Sequence, residues 1–122
     1  MTTISKENNY LTLINIFTVS PANQQKLVDL LIRATEIVKT TPGFISSSLH
    51  VSLDGTKVTM YAQWNSLEDY NKMRSNPVAS PFLQQAMEMA RFEPGMYKVV
   101  ESFVPDKTTT FPPASSTDTS GS

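Results

Sequence analysis

Cysteine is absent from the 122-residue chain, which removes disulfide frameworks, thiolate metal sites and cysteine nucleophiles from consideration. Histidine occurs once, at His50, so a multi-histidine metal centre within one chain is excluded as well. The acidic residues do not replace it: Glu68 with Asp69, and Glu88 with Glu93, form no ligand pattern for magnesium or calcium. A surplus of positive charge is also lacking. Ten Lys and Arg against eleven Asp and Glu leave a formal net charge of -1. The basic residues fall singly, so no field exists that would draw nucleic acid. No run is apolar for long enough to span a membrane, and the opening MTTISKENNY has no apolar segment of the signal-peptide kind. The expectation is a cytoplasmic protein with neither a membrane nor a nucleic-acid partner.

What remains is the content of one domain with a modest core. Residues 10–19, YLTLINIFTV, are rich in β-branched side chains and stop at Ser20-Pro21, which predicts a strand. Leu11, Leu13, Asn15, Phe17 and Val19 share one face, and Thr12, Ile14, Ile16 and Thr18 the other. Both faces are largely apolar, as in a strand covered on both sides. Ser20-Pro21 then reads as a side-chain cap and a first helical residue. Leu27, Leu30, Leu31, Ala34, Ile37 and Val38 follow at helical spacing up to Thr40, ahead of Pro42-Gly43. A second strand is predicted over Phe44 to Ser52, a hairpin turn at Asp54-Gly55 and a third strand over Lys57 to Asn65. Ser66 and Asp69 suggest a capped short helix, which Asn76-Pro77 breaks. A further helix runs from Ser80-Pro81 to Pro94-Gly95, and a last strand from Tyr97 to Val104.

The order is βαββαβ with a broken second helix, an α+β fold of the ferredoxin-like kind with a four-stranded antiparallel sheet. Residues 1–9 form an N-terminal arm, 10–104 the domain, and 105–122 a Ser/Thr/Pro-rich tail too polar to offset its ordering entropy, read as flexible. Helices on one side leave the other face of the sheet to be covered, and the simplest cover is a second copy of the same sheet in a two-fold dimer.

The run DGTKVTMYAQWNSLEDY, with PGF before the second strand and LINIFTV in the first, resembles the antibiotic biosynthesis monooxygenase domain family, and the likeness covers roughly residues 10–105. The resemblance implies a dimeric α+β barrel of ferredoxin-like subunits. It also implies, from the small oxygenases it most resembles, cofactor-free oxidation of a phenolic or hydroquinone-type aromatic by O2. On its pattern the strand histidine falls on His50, the strand-end tryptophan on Trp64 and the tyrosine one helical turn further on Tyr70. The asparagine before YAQW is Met60 here, and the arginine of the last helix falls on Gln84, so two polar donors of the pattern are replaced. A haem-degrading branch of the same superfamily would match Asn15 and Trp64, but its axial histidine falls near Ala86, which cannot ligate haem.

Read on their own, the same residues keep two meanings. Trp64, the single tryptophan, shares its face with Met60 and Ala62, and the small Ala62 leaves a recess. The indole is either a core residue or the wall of an aromatic pocket. Asn15 interrupts an apolar face and is either satisfied locally or binds a polar group of a ligand. Tyr70 is core or ligand-facing. Met73, Met87, Met89 and Met96 suit adaptable packing better than redox chemistry. The face of His50 turns on the hairpin: a two-residue loop puts it opposite Trp64, and a three-residue loop puts both on one face, where His50 takes a phenolic proton. What the family resemblance implies is catalysis by His50, Trp64 and Tyr70 and substrate binding at Asn15, Met60 and Gln84. The competing readings are a binding or isomerising module that uses the same cleft, and a packed dimer with no cleft.

Overall fold

The computed structural model describes residues 2–78 and 80–106. Strand β1 spans Leu11–Thr18, followed by a 3-10 turn at Pro21–Asn23 and helix α1 over Gln24–Val38. Strands β2 (Phe44–Val51) and β3 (Lys57–Trp64) form the hairpin. Helices α2 (Leu67–Arg74) and α3 (Ser80–Met89) follow, then two short strands, β4 (Arg91–Glu93) and β5 (Met96–Tyr97). The sheet is antiparallel in the order β2-β3-β1-β4, with β5 also pairing β1. The α+β class and the βαββαβ order are as expected.

Three local expectations need correction. Ser20 precedes the first helix, but its side chain caps nothing; the backbone makes a 3-10 turn at Pro21–Asn23 before α1 begins. Pro94-Gly95 interrupts a strand rather than ending a helix. α3 stops at Met89, and β4 already pairs Phe17 with Phe92. β5 pairs Leu13 with Met96 on the same edge of β1, and the Ile14 amide donates to the Gly95 carbonyl at 3.0 Å between them. The predicted last strand over Tyr97 to Val104 is therefore mostly irregular chain, and the pairing comes earlier. Residues 107–122 of the expected flexible tail lie outside the described residues.

The sheet has two unlike faces. On the helix side, Leu13, Phe17, Val58, Ala62 and Trp64 are buried against Leu27, Leu31, Ala34 and Val38 of α1, Tyr70 and Met73 of α2, and Ala86 of α3. Burying the Leu, Val, Phe and Met side chains among these is worth roughly 1.5–3 kcal/mol each. On the opposite face Thr12 and Gln63 are buried beside the N-terminal arm. The Gln63 amide donates to the Thr3 carbonyl at 2.8 Å, and Thr2 donates to Ser46, which donates to Gln63.

Two glycines hold the ends of the hairpin. Gly43 has φ +88°, and a Cβ there would fall on the Asp69 side chain, so only glycine lets the start of β2 pass the first turn of α2. That turn is capped as expected, the Ser66 hydroxyl accepting from the Asp69 amide at 3.1 Å. At the other end Gly55 has φ +82°. The Asp54 carboxylate accepts from the Thr56 amide, the Thr56 hydroxyl and the Ser52 hydroxyl, at 3.0, 2.7 and 2.8 Å.

These bonds, from the Thr56 side chain first, lower the Asp54 pKa from 3.8 to about 2. A depressed carboxyl stabilises the fold above its unfolded pKa, and that contribution is lost as pH falls from 3.8 through about 2. A carbon-detected NMR titration should therefore find the Asp54 midpoint well below that of the unfolded chain. A midpoint at 3.8 or above would show that the loop is not held this way.

Candidate active site

Between the helix-side face of the sheet and the three helices lies a cavity of about 530 Å³. Its floor is Leu13, Asn15 and Phe17 of β1 with Met60, Ala62 and Trp64 of β3. The helices contribute Leu31, Ala34 and Val38 from α1, Tyr70, Met73 and Arg74 from α2, and Leu83, Gln84 and Met87 from α3. Pro94, Gly95 and Met96 complete the wall where the edge strand is broken. The volume is in the range of small-molecule sites, so the reading of a packed interface with no cleft does not hold.

Trp64 is both core and wall. It is 1% exposed and still borders the cavity. Its ring meets Phe44 edge-on at 5.4 Å and 85°, and Tyr70 at 5.8 Å and 64°. Such pairs add about 0.5–1.5 kcal/mol beyond burial and hold the indole in one orientation. Phe44 reaches this face because of a β-bulge between Phe44 and Ser46, which sets Phe44 rather than Ile45 opposite Trp64. The recess expected at Ala62 is present, with Met60 and Trp64 on either side of it along the strand.

Five of the six residues predicted for the site come together in this cavity: Asn15, Met60, Trp64, Tyr70 and Gln84. His50 does not join them. The hairpin closes with Ser52 bonded to Lys57, leaving a loop of four residues, 53–56. An even count pairs His50 with Thr59, and Thr59 shares its face with Tyr61 and Gln63. The imidazole is exposed on the far side of the sheet, its Nε2 2.9 Å from the Ser48 hydroxyl. The expectation that His50 takes a proton inside the pocket of its own chain is thereby corrected. Arg91, the next arginine after Gln84 in the sequence, lies on β4 beside Thr18 and is not among the residues that border the cavity. Ala86, where haem ligation would need a histidine, is fully buried in the core.

The polar groups of the wall are few. Asn15 Oδ1 is sealed from solvent and has no hydrogen-bond partner among the described residues. The Tyr70 hydroxyl has its pKa raised from 10.0, chiefly by burial, against a smaller lowering by the Arg74 guanidinium. It is thus a neutral donor at physiological pH. Arg74 stands 6.0 Å from the centre of the Tyr70 ring. Sequence reasoning did not single out Arg74, Ser47, Ser80 or Thr35, all of which border the cavity. Met60, Met73, Met87 and Met96 give the wall adaptable thioether surface.

Residues 10–88 match the antibiotic biosynthesis monooxygenase family, and the chain belongs to it. It is 38% identical over 104 residues to the tetracenomycin-F1 monooxygenase of Streptomyces glaucescens, across 84% of this chain and 93% of that protein. Among solved structures, a monooxygenase from ActVA-Orf6 of Streptomyces coelicolor, in complex with nanaomycin D, superposes with a TM-score of 0.71. Its identity is 27%, over 80% of this chain and 93% of that one. SnoaB, a cofactor-independent oxygenase from Streptomyces nogalater, gives 0.66 at 19% identity, over 80% and 98%, a likeness of fold. The chain is accordingly a monooxygenase of the antibiotic biosynthesis type.

Two measurements check this geometry. Replacing Asn15 by Leu removes a polar atom buried without a partner, a cost of about 1–3 kcal/mol, so Asn15→Leu should melt several degrees higher than the wild type. A lower melting temperature would mean that the amide is satisfied and holds the fold. In an absorbance titration, the phenol missing from Tyr70→Phe should be one that ionises above pH 10.0, and higher still in Arg74→Met. Because only the unfolded chain ionises there at the ordinary value, the Tyr70 contribution to stability is complete below pH 10.0 and is lost as pH rises through the folded pKa.

Proposed function

We propose that this protein is a cofactor-independent monooxygenase that oxidises an electron-rich phenolic or hydroquinone-type aromatic with O2 in the cavity beside Trp64. The observation that carries the proposal is the wall itself: a rigid aromatic corner of Phe44, Trp64 and Tyr70, apolar surface around it, and a few polar groups. A flat polycyclic substrate stacks in such a space and is desolvated there. An ionised phenol in that setting is a strong electron donor. It passes one electron to O2, and the two radicals recombine at the activated carbon. Loss of water from the resulting peroxide leaves a carbonyl, so that one oxygen atom of O2 enters the quinone and the other leaves as water.

Roles follow from position. Trp64 and Tyr70 orient the ring, with the Tyr70 hydroxyl a neutral donor to a substrate oxygen. Asn15, on the floor, offers its amide, and Met60 and Gln84 shape the two sides. The described residues of the wall include no His, Asp, Glu or Lys. The substrate proton is therefore lost to water rather than to an internal base, and the rate follows the ionisation of the substrate. We further propose that the face carrying Ile14, Ile16 and Tyr61 pairs with a second copy in a homodimer. Ile14 and Ile16 are only partly covered within the chain, and the Tyr61 hydroxyl is buried with no partner among the described residues.

Oxygen uptake by metal-free protein with a panel of anthrones and hydroquinones tests this reading. We expect uptake with at least one anthrone. It should drop by about tenfold or more in Trp64→Ala, the equivalent of roughly 1.4 kcal/mol of lost positioning, and stay within about twofold in His50→Ala, since that ring faces away. No uptake across the panel would refute the oxygenase reading, and a collapse in His50→Ala would refute the assignment of faces.

A further inference from the structure

Arg74 is the one cationic side chain among the described residues that border the cavity, and no acidic side chain borders it with them. It forms no ion pair or hydrogen bond among the described residues, whereas Lys6, Lys39 and Lys72 each sit against a glutamate. Arg74 is an exposed residue whose guanidinium lies 6.0 Å from the centre of the Tyr70 ring, so the charge borders the cavity beside the aromatic corner. Asn15 borders the same cavity from β1. The site therefore has a mostly apolar wall, a few neutral polar side chains in it, and one positive charge on the α2 side with no acidic side chain among the described lining residues. A neutral hydrocarbon makes no use of that charge, and an organic cation is repelled by it.

We propose that Arg74 is the specificity-determining residue of this site and that the site selects aromatic anions, a negatively charged oxygen of the ligand lying against the guanidinium while the ring system packs on Trp64 and Tyr70. The inference rests on the reading of the cavity as an aromatic site, and it deepens the substrate class from phenolic aromatics to those that arrive already charged. The negative oxygen is that of a carboxylate or of an ionised phenol; both offer the acceptor geometry that a guanidinium fork recognises. A cation here also favours the electron-donating phenolate over the neutral phenol, in a wall whose described residues include no His, Asp, Glu or Lys.

The test uses Trp64, the sole tryptophan, as its reporter. Quenching of its emission measures binding of two pairs of probes matched in shape and differing in charge. The pairs are 9-anthracenecarboxylate with 9-anthracenecarboxamide, and 2,4-dinitro-1-naphtholate with its methyl ether. We expect the wild type to prefer the anion by about tenfold in at least one pair, as a charge-assisted hydrogen bond gives. The preference should fall to within about twofold in Arg74→Gln and be largely restored in Arg74→Lys. Preference in the first pair alone identifies a carboxylate as the recognised group, and in the second alone an ionised phenol; either supports the proposal. Equal affinities within both pairs in the wild type, or a preference that survives in Arg74→Gln, would overturn it while leaving the aromatic site intact. Failure of all four probes to bind would instead overturn the aromatic reading and this inference with it. Anion preference without oxygen uptake would sink only the oxygenase chemistry.

Discussion

The register of β2 against β3 is the constraint on which the site depends. Side chains alternate along a strand, so one residue more or less in the connecting loop exchanges the two faces of everything beyond it. Here the loop is four residues long and is tied down by the Asp54 carboxylate and by Gly55 at φ +82°. That count sends Leu49 and Ser47 toward the helices with Met60 and Ala62, and sends His50 to the far side with Thr59. The bulge at Ile45 then shifts the parity once more, bringing Phe44 back to the helix side to meet Trp64. Two local backbone features, at opposite ends of one hairpin, thus decide which aromatic groups border the cavity and which ionisable group does not.

The cavity that results is chemically spare. Its wall holds an indole, a phenol kept neutral, the Asn15 and Gln84 amides, three hydroxyls and one guanidinium, set in methionine, leucine and alanine surface. Among its described residues there is no His, Asp, Glu or Lys to take a proton at neutral pH. That suits a reaction in which the substrate is the reductant of O2 and the protein contributes placement and a dry environment. Membership of the antibiotic biosynthesis monooxygenase family shows the class of enzyme, and the cofactor-free chemistry proposed for it rests on the composition of the wall.

Much of this was legible in the sequence because it follows from periodicity. The alternation Met60, Ala62, Trp64 along one strand and Leu13, Asn15, Phe17 along its neighbour names the floor of the cavity before any coordinates. An asparagine in an apolar row marks itself as a polar group in need of a partner. Other features had no such signature. Arg74 looks like an ordinary cation in the last turn of a short helix, where the helix dipole alone would favour it; only the packing of α2 beside the sheet brings it to the cavity. The Asp54-Gly55 pair signals a turn but not its length, and length is what decides the face of His50. Pro94-Gly95 reads as a helix stop, yet the residues before it form a strand of three, too short for an alternating pattern to stand out.

The most direct test of the account is a crystal structure of the protein with a bound hydroxyanthraquinone, the product type of the proposed oxidation. The account predicts the ring system between sheet and helices, against Trp64 and Tyr70, with a ligand oxygen near Arg74 and none of the ligand near His50. A ring system bound on the face of the sheet that carries His50, or a cavity that closes and excludes it, would contradict the account.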